Sequence, residues 1–140
     1  MTGKKYWLTP PDLYKQLSRQ FGPFDYDPCP YPLPDGFDGL KEPWGASNYV
    51  NPPFRPADVL NTDVKRPGPT AFVHKAIEEQ KKGNSSLIVA PVQSYVMLLA
   101  AAGAQIFSLG RVRWLDTETG EPCKSPSPIC AFFLEGDIPF

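Results

Sequence analysis

Two segments of the chain carry apolar residues at helical spacing. The first begins at Thr9, a suitable N-cap followed by Pro10 at the first helical position, and it ends at Gly22. The second begins at Thr70 and ends at Gly83. The positions expected to face inward are Leu13, Leu17 and Phe21 in the first segment and Phe72, Val73, Ala76 and Ile77 in the second. The pattern predicts two amphipathic helices, and a shorter third helix from Ser94 to Ala102.

Short apolar runs between the helices predict strands. The run Ser86 to Val92 is almost wholly apolar, as in a strand that is buried on both faces of a parallel sheet. The other predicted strands are Phe24 to Asp27, Asn48 to Val50, Gln105 to Leu109 continuing past a bulge at Gly110 into Arg111 to Leu115, and Ile129 to Leu134. Residues 28–46, 55–69 and 116–128 are expected to be loops. This order predicts an α/β fold with an antiparallel strand at one side of the sheet.

Length and composition narrow the class of protein. The chain has 140 residues, 18 of them proline, and a net charge of −1, so it suits a single domain without a global basic field. Its cysteines are Cys29, Cys123 and Cys130, and His74 is its single histidine. This set favours reduced thiols over a disulfide framework or a metal site. No apolar run approaches the ~18 residues that span a bilayer, so we expect a cytoplasmic protein without a membrane contact.

The tetrapeptide Asn51-Pro52-Pro53-Phe54 follows a predicted strand, at the end where open α/β sheets bind ligands. An aromatic amine such as adenine N6 is a poor nucleophile because its lone pair is delocalised into the ring. The Asn51 side-chain oxygen and the carbonyl of the next residue can accept its two hydrogens, which favours a tetrahedral nitrogen in the transition state. Phe54 offers a flat face for a base that has left the duplex. The tetrapeptide therefore indicates methyl transfer to a planar amino group.

The tetrapeptide alone leaves alternatives open. A proline turn after a strand has the same sequence without any chemistry. The same turn also suits cytosine N4, guanine N2 in RNA and glutamine side chains of proteins, since each presents a planar amino group. The surrounding sequence has to decide between these targets.

Further segments carry a family resemblance. Trp7-Leu8-Thr9-Pro10, Phe24-Asp25-Tyr26-Asp27-Pro28 and Asn51-Pro52-Pro53-Phe54 occur in this order, and Gly110-Arg111-Val112-Arg113-Trp114 follows later. This series resembles the phage-type DNA N6-adenine methyltransferase (Dam) family over most of the chain. The resemblance implies one methyltransferase domain over residues 1–140, with a reduced Rossmann-like fold whose mixed sheet has an antiparallel strand near one edge. It also implies a phage protein that acts in the cytoplasm of its bacterial host.

The resemblance implies S-adenosylmethionine as cofactor. The residues expected near it are Trp7, Thr9, Pro10, Asp25, Asp27, Pro28 and Cys29. Simpler roles compete, because Thr9 can be only a helix cap, Asp25 a solvated residue and Trp7 a packing residue. The usual glycine-rich loop is missing, since Pro28-Cys29-Pro30-Tyr31-Pro32 follows Asp27.

DNA is the partner that the resemblance implies, and local cations are the candidate phosphate contacts. They are Arg55, Lys65, Arg66, Arg111, Arg113 and Lys124, each of which could equally be a solvated surface charge. The loop from Asn61 to Pro69 is a candidate lid. Since no recognition domain is added, a second copy of the chain, as a homodimer, could supply sequence specificity. The missing glycine loop leaves a different class of function open, a methyltransferase-like protein that binds DNA without catalysis.

Overall fold

The computed structural model describes residues 7–30, 35–52, 68–116, 122–124 and 128–137. Helices and strands alternate through most of these ranges. The helices are α1 (Pro11–Phe21), α2 (Pro69–Lys81) and α3 (Val96–Ala101). The strands are β1 (Trp7–Leu8), β2 (Ser47–Val50), β3 (Ser85–Pro91), β4 (Gln105–Gly110), β5 (Arg113–Asp116), β6 (Pro122–Lys124) and β7 (Ile129–Leu134). No helix within these ranges is long and apolar enough to cross a membrane.

A mixed sheet of four strands, in the order β2-β3-β7-β4, forms the centre of the fold. β2 and β3 are parallel, with Val50 opposite Ile88, and β7 runs antiparallel to both β3 and β4. The α/β class is therefore confirmed, and the antiparallel strand lies next to the edge strand β4. The predicted apolar strand is β3, whose residues from Leu87 to Ala90 are fully buried.

The sheet has a hydrophobic core on each face, because successive side chains of a strand point to opposite faces. Helices α2 and α3 cover one face, where Val50, Ile88, Phe132, Phe72, Val73 and Leu99 pack together. Helix α1 and the segment from Val112 to Trp114 cover the other face, where they pack with Tyr49, Leu87, Val89 and Ala131. The predicted inward positions of α2 are confirmed for Phe72, Val73 and Ala76, and Ile77 is partly buried.

A second, smaller sheet corrects the predicted continuation of β4. Gly110 has a φ of 67°, which favours glycine, and the chain turns away from the first sheet there. The strand that follows, β5, pairs antiparallel with β1 and β6 in the order β1-β5-β6. The pairing of β4 with β7 does shift register between Ser108 and Gly110, near the predicted bulge. The predicted continuation of this strand from Arg111 to Leu115 is wrong, and so is the prediction of a loop throughout residues 116–128.

The ends of several elements also differ from the predictions. Thr9 does not cap α1, because Pro10 is the N-cap residue and no side chain donates or accepts a capping bond there. Helix α2 begins one residue before Thr70, and α3 is shorter than expected at both ends. The predicted strand Phe24 to Asp27 is reduced to a single parallel bridge between Tyr26 and Asn48. The predicted loop from Arg55 lies outside the described residues as far as residue 67.

Candidate active site

Two neighbouring segments end at the same edge of the large sheet, which we call the carboxyl edge. Val50 is the last residue of β2, and Asn51 follows it. The Tyr49 backbone N–H donates to the Tyr26 carbonyl over 3.0 Å, so the segment that leads to Asp27 runs beside β2 in the same direction. Asp27 and Asn51 therefore both follow strand-like segments at the edge where open α/β sheets bind ligands.

Asn51 is half-buried and Pro52 is buried, so the side chain with the proposed acceptor is partly open to solvent. The tight packing of Pro52 fixes the direction of the backbone after β2, since proline restricts its own φ and the conformation of its predecessor. Pro53 and Phe54 lie outside the described residues. Asn51 and Pro52, which carry the two predicted acceptors of the tetrapeptide, therefore lie at the carboxyl edge.

Asp27 is exposed, and its carboxylate is held in place by its own loop. The Cys29 backbone N–H donates to Asp27 Oδ1 over 2.8 Å. Partial desolvation by the surrounding protein raises the pKa of Asp27 to about 6, although this hydrogen bond acts in the opposite direction. A carboxylate that has lost part of its hydration and can still be reached from solvent is suited to binding a cationic group of a ligand.

A group of aromatic rings lies beside Asp27. Tyr49 is 4% exposed, and its hydroxyl shares a hydrogen bond with the Thr9 hydroxyl. The ring centroid of Tyr49 is 5.0 Å from that of Tyr14 and 5.3 Å from that of Phe24. Burial, together with the Asp27 charge, raises the pKa of both tyrosines. Tyr14 and Tyr49 thus lie within reach of the Asp27 charge, and Thr9 is joined to this group through the Tyr49 hydroxyl.

The sequence prediction missed Tyr14 and Tyr49. Tyr49 precedes Asn51 by two residues, so the alternation of a strand directs both toward the same face. That face is covered by α1, which carries Tyr14 on its first turn after Pro10. The alternation could have identified Tyr49, whereas Tyr14 required the packing of α1 against the sheet.

The other residues predicted to lie near the cofactor are spread over several elements of the fold. Pro10 caps α1, and Trp7 pairs in β1 with Asp116 of β5. Pro28 and Cys29 are buried, and Cys29 packs in the core with Trp44. Burial raises the pKa of the Cys29 thiol. These two residues can therefore offer a ligand their backbone rather than their side chains.

Asp25 lies away from this group. Its Oδ1 accepts a hydrogen bond of 3.2 Å from the Ser47 backbone N–H, at the first residue of β2. A Cβ on Gly45 would come within 2.2 Å of the same carboxylate oxygen, so the turn before β2 is built around Asp25. The structure thus places Thr9 and Asp27 each near Tyr49, and it places Asp25 beside Ser47, at the opposite end of β2 from Asn51.

A second asparagine, Asn48, occupies that opposite end, which we call the amino edge. It is fully buried, and its Nδ2 donates to the carbonyls of Gly45 and Ser85 over 2.9 Å each. Its Oδ1 accepts from the Gly45 backbone N–H over 2.9 Å. The polar capacity of Asn48 is therefore used within the fold.

The structure describes only some of the cations that are predicted to contact DNA. Arg111 and Arg113 are exposed, and the antiparallel register of β5 and β6 places Arg113 opposite Lys124. Arg113 and Lys124 belong to the small sheet that also contains Trp7 and Leu8, the residues just before Thr9, and Arg111 lies just before β5. Arg55, Lys65 and Arg66, as well as the candidate lid, lie outside the described residues, apart from Gly68 and Pro69.

The charged side chain of Glu79 is buried, and its bonding partners lie within the fold. Glu79 of α2 is 1% exposed, and its carboxylate lies 2.9 Å from Lys75 Nζ and 2.7 Å from Asn84 Nδ2. Burial acts to raise the pKa of Glu79, but these hydrogen bonds and the charges of Lys75 and Lys82 bring it below its usual value. Glu79 thus ties the end of α2 to the start of β3 and has no role at the carboxyl edge.

Comparison with known proteins gives no match. No family model, curated protein or solved structure matches this chain. Within the described ranges, no group of three or more histidine, cysteine, aspartate or glutamate side chains is placed to hold a metal ion. The chemistry of the carboxyl edge is therefore argued from its own residues.

Proposed function

We propose that the chain is an S-adenosylmethionine-dependent DNA methyltransferase that modifies the exocyclic N6 of adenine. The observation that carries this proposal is the position of Asn51 directly after β2, with the exposed Asp27 on the parallel segment that runs next to this strand. A central sheet with the antiparallel strand β7 next to the edge strand β4 supports the reduced Rossmann-like fold that belongs to this proposal.

Asn51 and Pro52 act on the substrate amine. The Asn51 side-chain oxygen and the Pro52 carbonyl accept the two hydrogens of adenine N6, which draws the nitrogen toward tetrahedral geometry and makes its lone pair available. The rigid proline backbone keeps these acceptors oriented, so little reorganisation is needed when the reaction occurs. The N6 nitrogen would gain its bond to the methyl carbon as the bond from that carbon to sulfur breaks, the neutral thioether would leave, and N6 would release its surplus proton to solvent. Neither acceptor therefore has to change its protonation state.

Asp27 and Tyr14 would contact the cofactor, and the buried Tyr49 with Thr9 would position them. S-adenosylmethionine supplies the methyl group and carries both an ammonium and a sulfonium charge. The exposed, partly desolvated carboxylate of Asp27 suits a cationic group of this kind, and the exposed ring of Tyr14 suits it as well. The Thr9 to Tyr49 hydrogen bond fixes the chain before α1 against β2, so it keeps both sides of the site together.

The test is incubation of the full chain with labelled S-adenosylmethionine and DNA that lacks methylated bases, followed by nucleoside analysis. We expect label in N6-methyladenine, and we expect Asn51→Ala to remove it. Gln105→Ala is the matched control, because Gln105 is an exposed amide on β4, far from the carboxyl edge. Label in N4-methylcytosine, in RNA guanine or in protein would overturn adenine as the substrate.

A non-catalytic DNA-binding protein is the second candidate function. The observation in its favour is that buried Pro28 and Cys29 follow Asp27, where a glycine-rich loop would leave room for a ligand. Calorimetric titration separates the two functions. DNA binding without detectable binding of S-adenosylmethionine would establish the second candidate and exclude the enzyme.

A further inference from the structure

The loop that follows Asp27 fixes the carboxylate of this residue. The Cys29 backbone N–H donates to Asp27 Oδ1 over 2.8 Å, so the position of the carboxylate depends on the backbone of Pro28 and Cys29. Neither of these residues is a glycine, and both are buried. The part of the protein that packs against this backbone therefore determines where the Cys29 N–H points.

A later turn of the chain, from Asp38 to Trp44, packs against this backbone, and we call it the supporting turn. Its Gly39 is buried, and a Cβ at this position would overlap the carbonyl group of Pro28. Gly39 does not have the positive φ that favours glycine, so its own conformation would accept another residue. The close approach to Pro28 is therefore the feature that requires a glycine there.

Hydrogen bonds hold the supporting turn in one conformation. Trp44 Nε1–H donates to the Gly39 carbonyl over 2.7 Å, and Leu40 N–H donates to Asp38 Oδ1 over 2.9 Å. Trp44 is 6% exposed and belongs to the same hydrophobic core as Cys29. The bond from Trp44 is thus protected from water, which strengthens it and leaves Gly39 little freedom to move.

We propose that Gly39 and Trp44 are positioning residues, which hold the loop after Asp27 so that its carboxylate is oriented for the cofactor. This inference rests on the proposed function for the identity of the ligand. In Rossmann-like enzymes the glycines that permit close packing belong to the loop that binds the cofactor. In this chain the glycine lies on a separate turn, which supports a loop that contains proline instead.

The ionisation of Asp27 reports on this support in the absence of any ligand. The hydrogen bond from the Cys29 N–H stabilises the charged form, so its loss raises the pKa of Asp27 above its value of about 6. Within the described ranges, the titratable groups that interact with this carboxylate are neutral at pH 7, because the pKa of each is raised: Tyr14 of α1, Tyr49 of β2, Tyr26 and Cys29. A purely structural role of Gly39 would affect stability and leave the pKa of Asp27 unchanged.

The experiment is a pH titration of the Asp27 carboxyl carbon by nuclear magnetic resonance in the full chain without ligand. We expect Gly39→Ala to raise the pKa of Asp27 by about one pH unit, because hydrogen bonds to charged acceptors are among the stronger ones. Trp44→Phe removes the indole N–H and keeps an aromatic ring, so it should raise this pKa by less. Gly136→Ala is the matched control, since a Cβ there would overlap the Gly83 carbonyl near Ser85, at the amino edge. It should leave the Asp27 pKa unchanged.

Calorimetric titration with S-adenosylmethionine connects this result to the proposed function. At about pH 6.5 we expect roughly threefold weaker binding by Gly39→Ala than by the wild-type protein, and a smaller difference at about pH 8, where Asp27 is ionised in both.

Two results would overturn the role of the supporting turn. They are an unchanged Asp27 pKa in folded Gly39→Ala and an equal rise of this pKa in Gly136→Ala. If circular dichroism shows that Gly39→Ala does not fold, an unchanged Asp27 pKa in Trp44→Phe would overturn it. In contrast, a wild-type protein that does not bind S-adenosylmethionine would overturn the proposed function, while the titration of Asp27 would still decide the role of Gly39.

Discussion

Two asparagines three residues apart on one strand show how the ends of β2 differ. Asn48 at the amino edge is fully buried, and its amide makes three hydrogen bonds of 2.9 Å to backbone groups of Gly45 and Ser85. Asn51 at the carboxyl edge is half-buried, with exposed Asp27 on the neighbouring segment. The same side chain therefore stabilises the fold at one end and faces solvent at the other.

The difference teaches that burial separates the structural asparagine of β2 from the one that a ligand can reach. A buried amide whose donors and acceptor are all satisfied contributes to stability and has no capacity left for a ligand. A partly exposed amide at the ligand-binding edge keeps surface that a substrate can reach. Substitutions at the two positions should separate activity from stability.

The largest effect is expected for Asn51→Ala on catalysis. Loss of one transition-state hydrogen-bond partner typically lowers kcat by about 10²–10³-fold. The free energy of unfolding should change by less than about 1 kcal/mol, because Asn51 is only half-buried. Steady-state kinetics with the labelled methyl donor and urea denaturation measure the two quantities. Near-normal kcat in this variant would remove Asn51 from the mechanism.

Asn48→Ala should have the opposite profile. It leaves the Gly45 N–H and carbonyl and the Ser85 carbonyl without their amide partner, at a cost of roughly 2–4 kcal/mol in stability. Urea denaturation checks this loss, with the exposed Gln105→Ala as control. The folded fraction of Asn48→Ala should retain its kcat. A stable but inactive Asn48→Ala protein would reverse the assignment of the two edges.

Binding of S-adenosylmethionine should depend on the ionisation of Asp27. Its pKa is about 6, so protonation between pH 7 and pH 5 removes most of the carboxylate, and affinity should fall by about tenfold. By linkage, ionising Asp27 lowers the stability of the free protein as pH rises from 3.8 toward 6, and a bound cation reverses this loss. Calorimetric titration of Asp27→Asn should show weak binding without this pH dependence. Persistence of the wild-type pH profile in this variant would exclude Asp27.

The smallest effect is expected for Thr9→Val, which removes the hydrogen bond to the Tyr49 hydroxyl and preserves the shape of the side chain. A hydrogen bond of this kind contributes about 1 kcal/mol, so we expect roughly a fivefold weaker binding of S-adenosylmethionine. Thr70→Val is the matched control, since Thr70 is exposed on α2. Equal affinities of the two variants would show that Thr9 does not position the site.

Much of the large sheet was predictable from local patterns. The apolar run that forms β3 and the spacing in α2 each encode a buried face, and the prediction of an antiparallel last strand is confirmed as β7. The join at Gly110 was not predictable in this way. Apolar residues on both sides of it resemble one strand, and the separation into two sheets depends on the pairing of β5 with β1, nearly 110 residues away in sequence.

The candidate site was likewise predictable from local patterns only in part. The sequence predicts the position of Asn51 after a strand, because the tetrapeptide ends an apolar run. The hydrogen bond from Thr9 to Tyr49, 40 residues later, could not be predicted, since the cap-like context of Thr9 gives no sign of it. Asp25 and Asp27 are equivalent in an alternating pattern, and only the pairing with β2 places Asp25 beside Ser47 and Asp27 beside Tyr49.

The most direct test of the account is nuclear magnetic resonance of the ¹⁵N-labelled chain during titration with S-adenosylmethionine. We expect the largest amide shifts at the carboxyl edge, at Thr9, Asp27, Tyr49 and Asn51. We expect none above the background at Gly45, Asn48 and Ser85 of the amino edge. Shifts concentrated at the amino edge, or no shifts at a saturating concentration of S-adenosylmethionine, would contradict it.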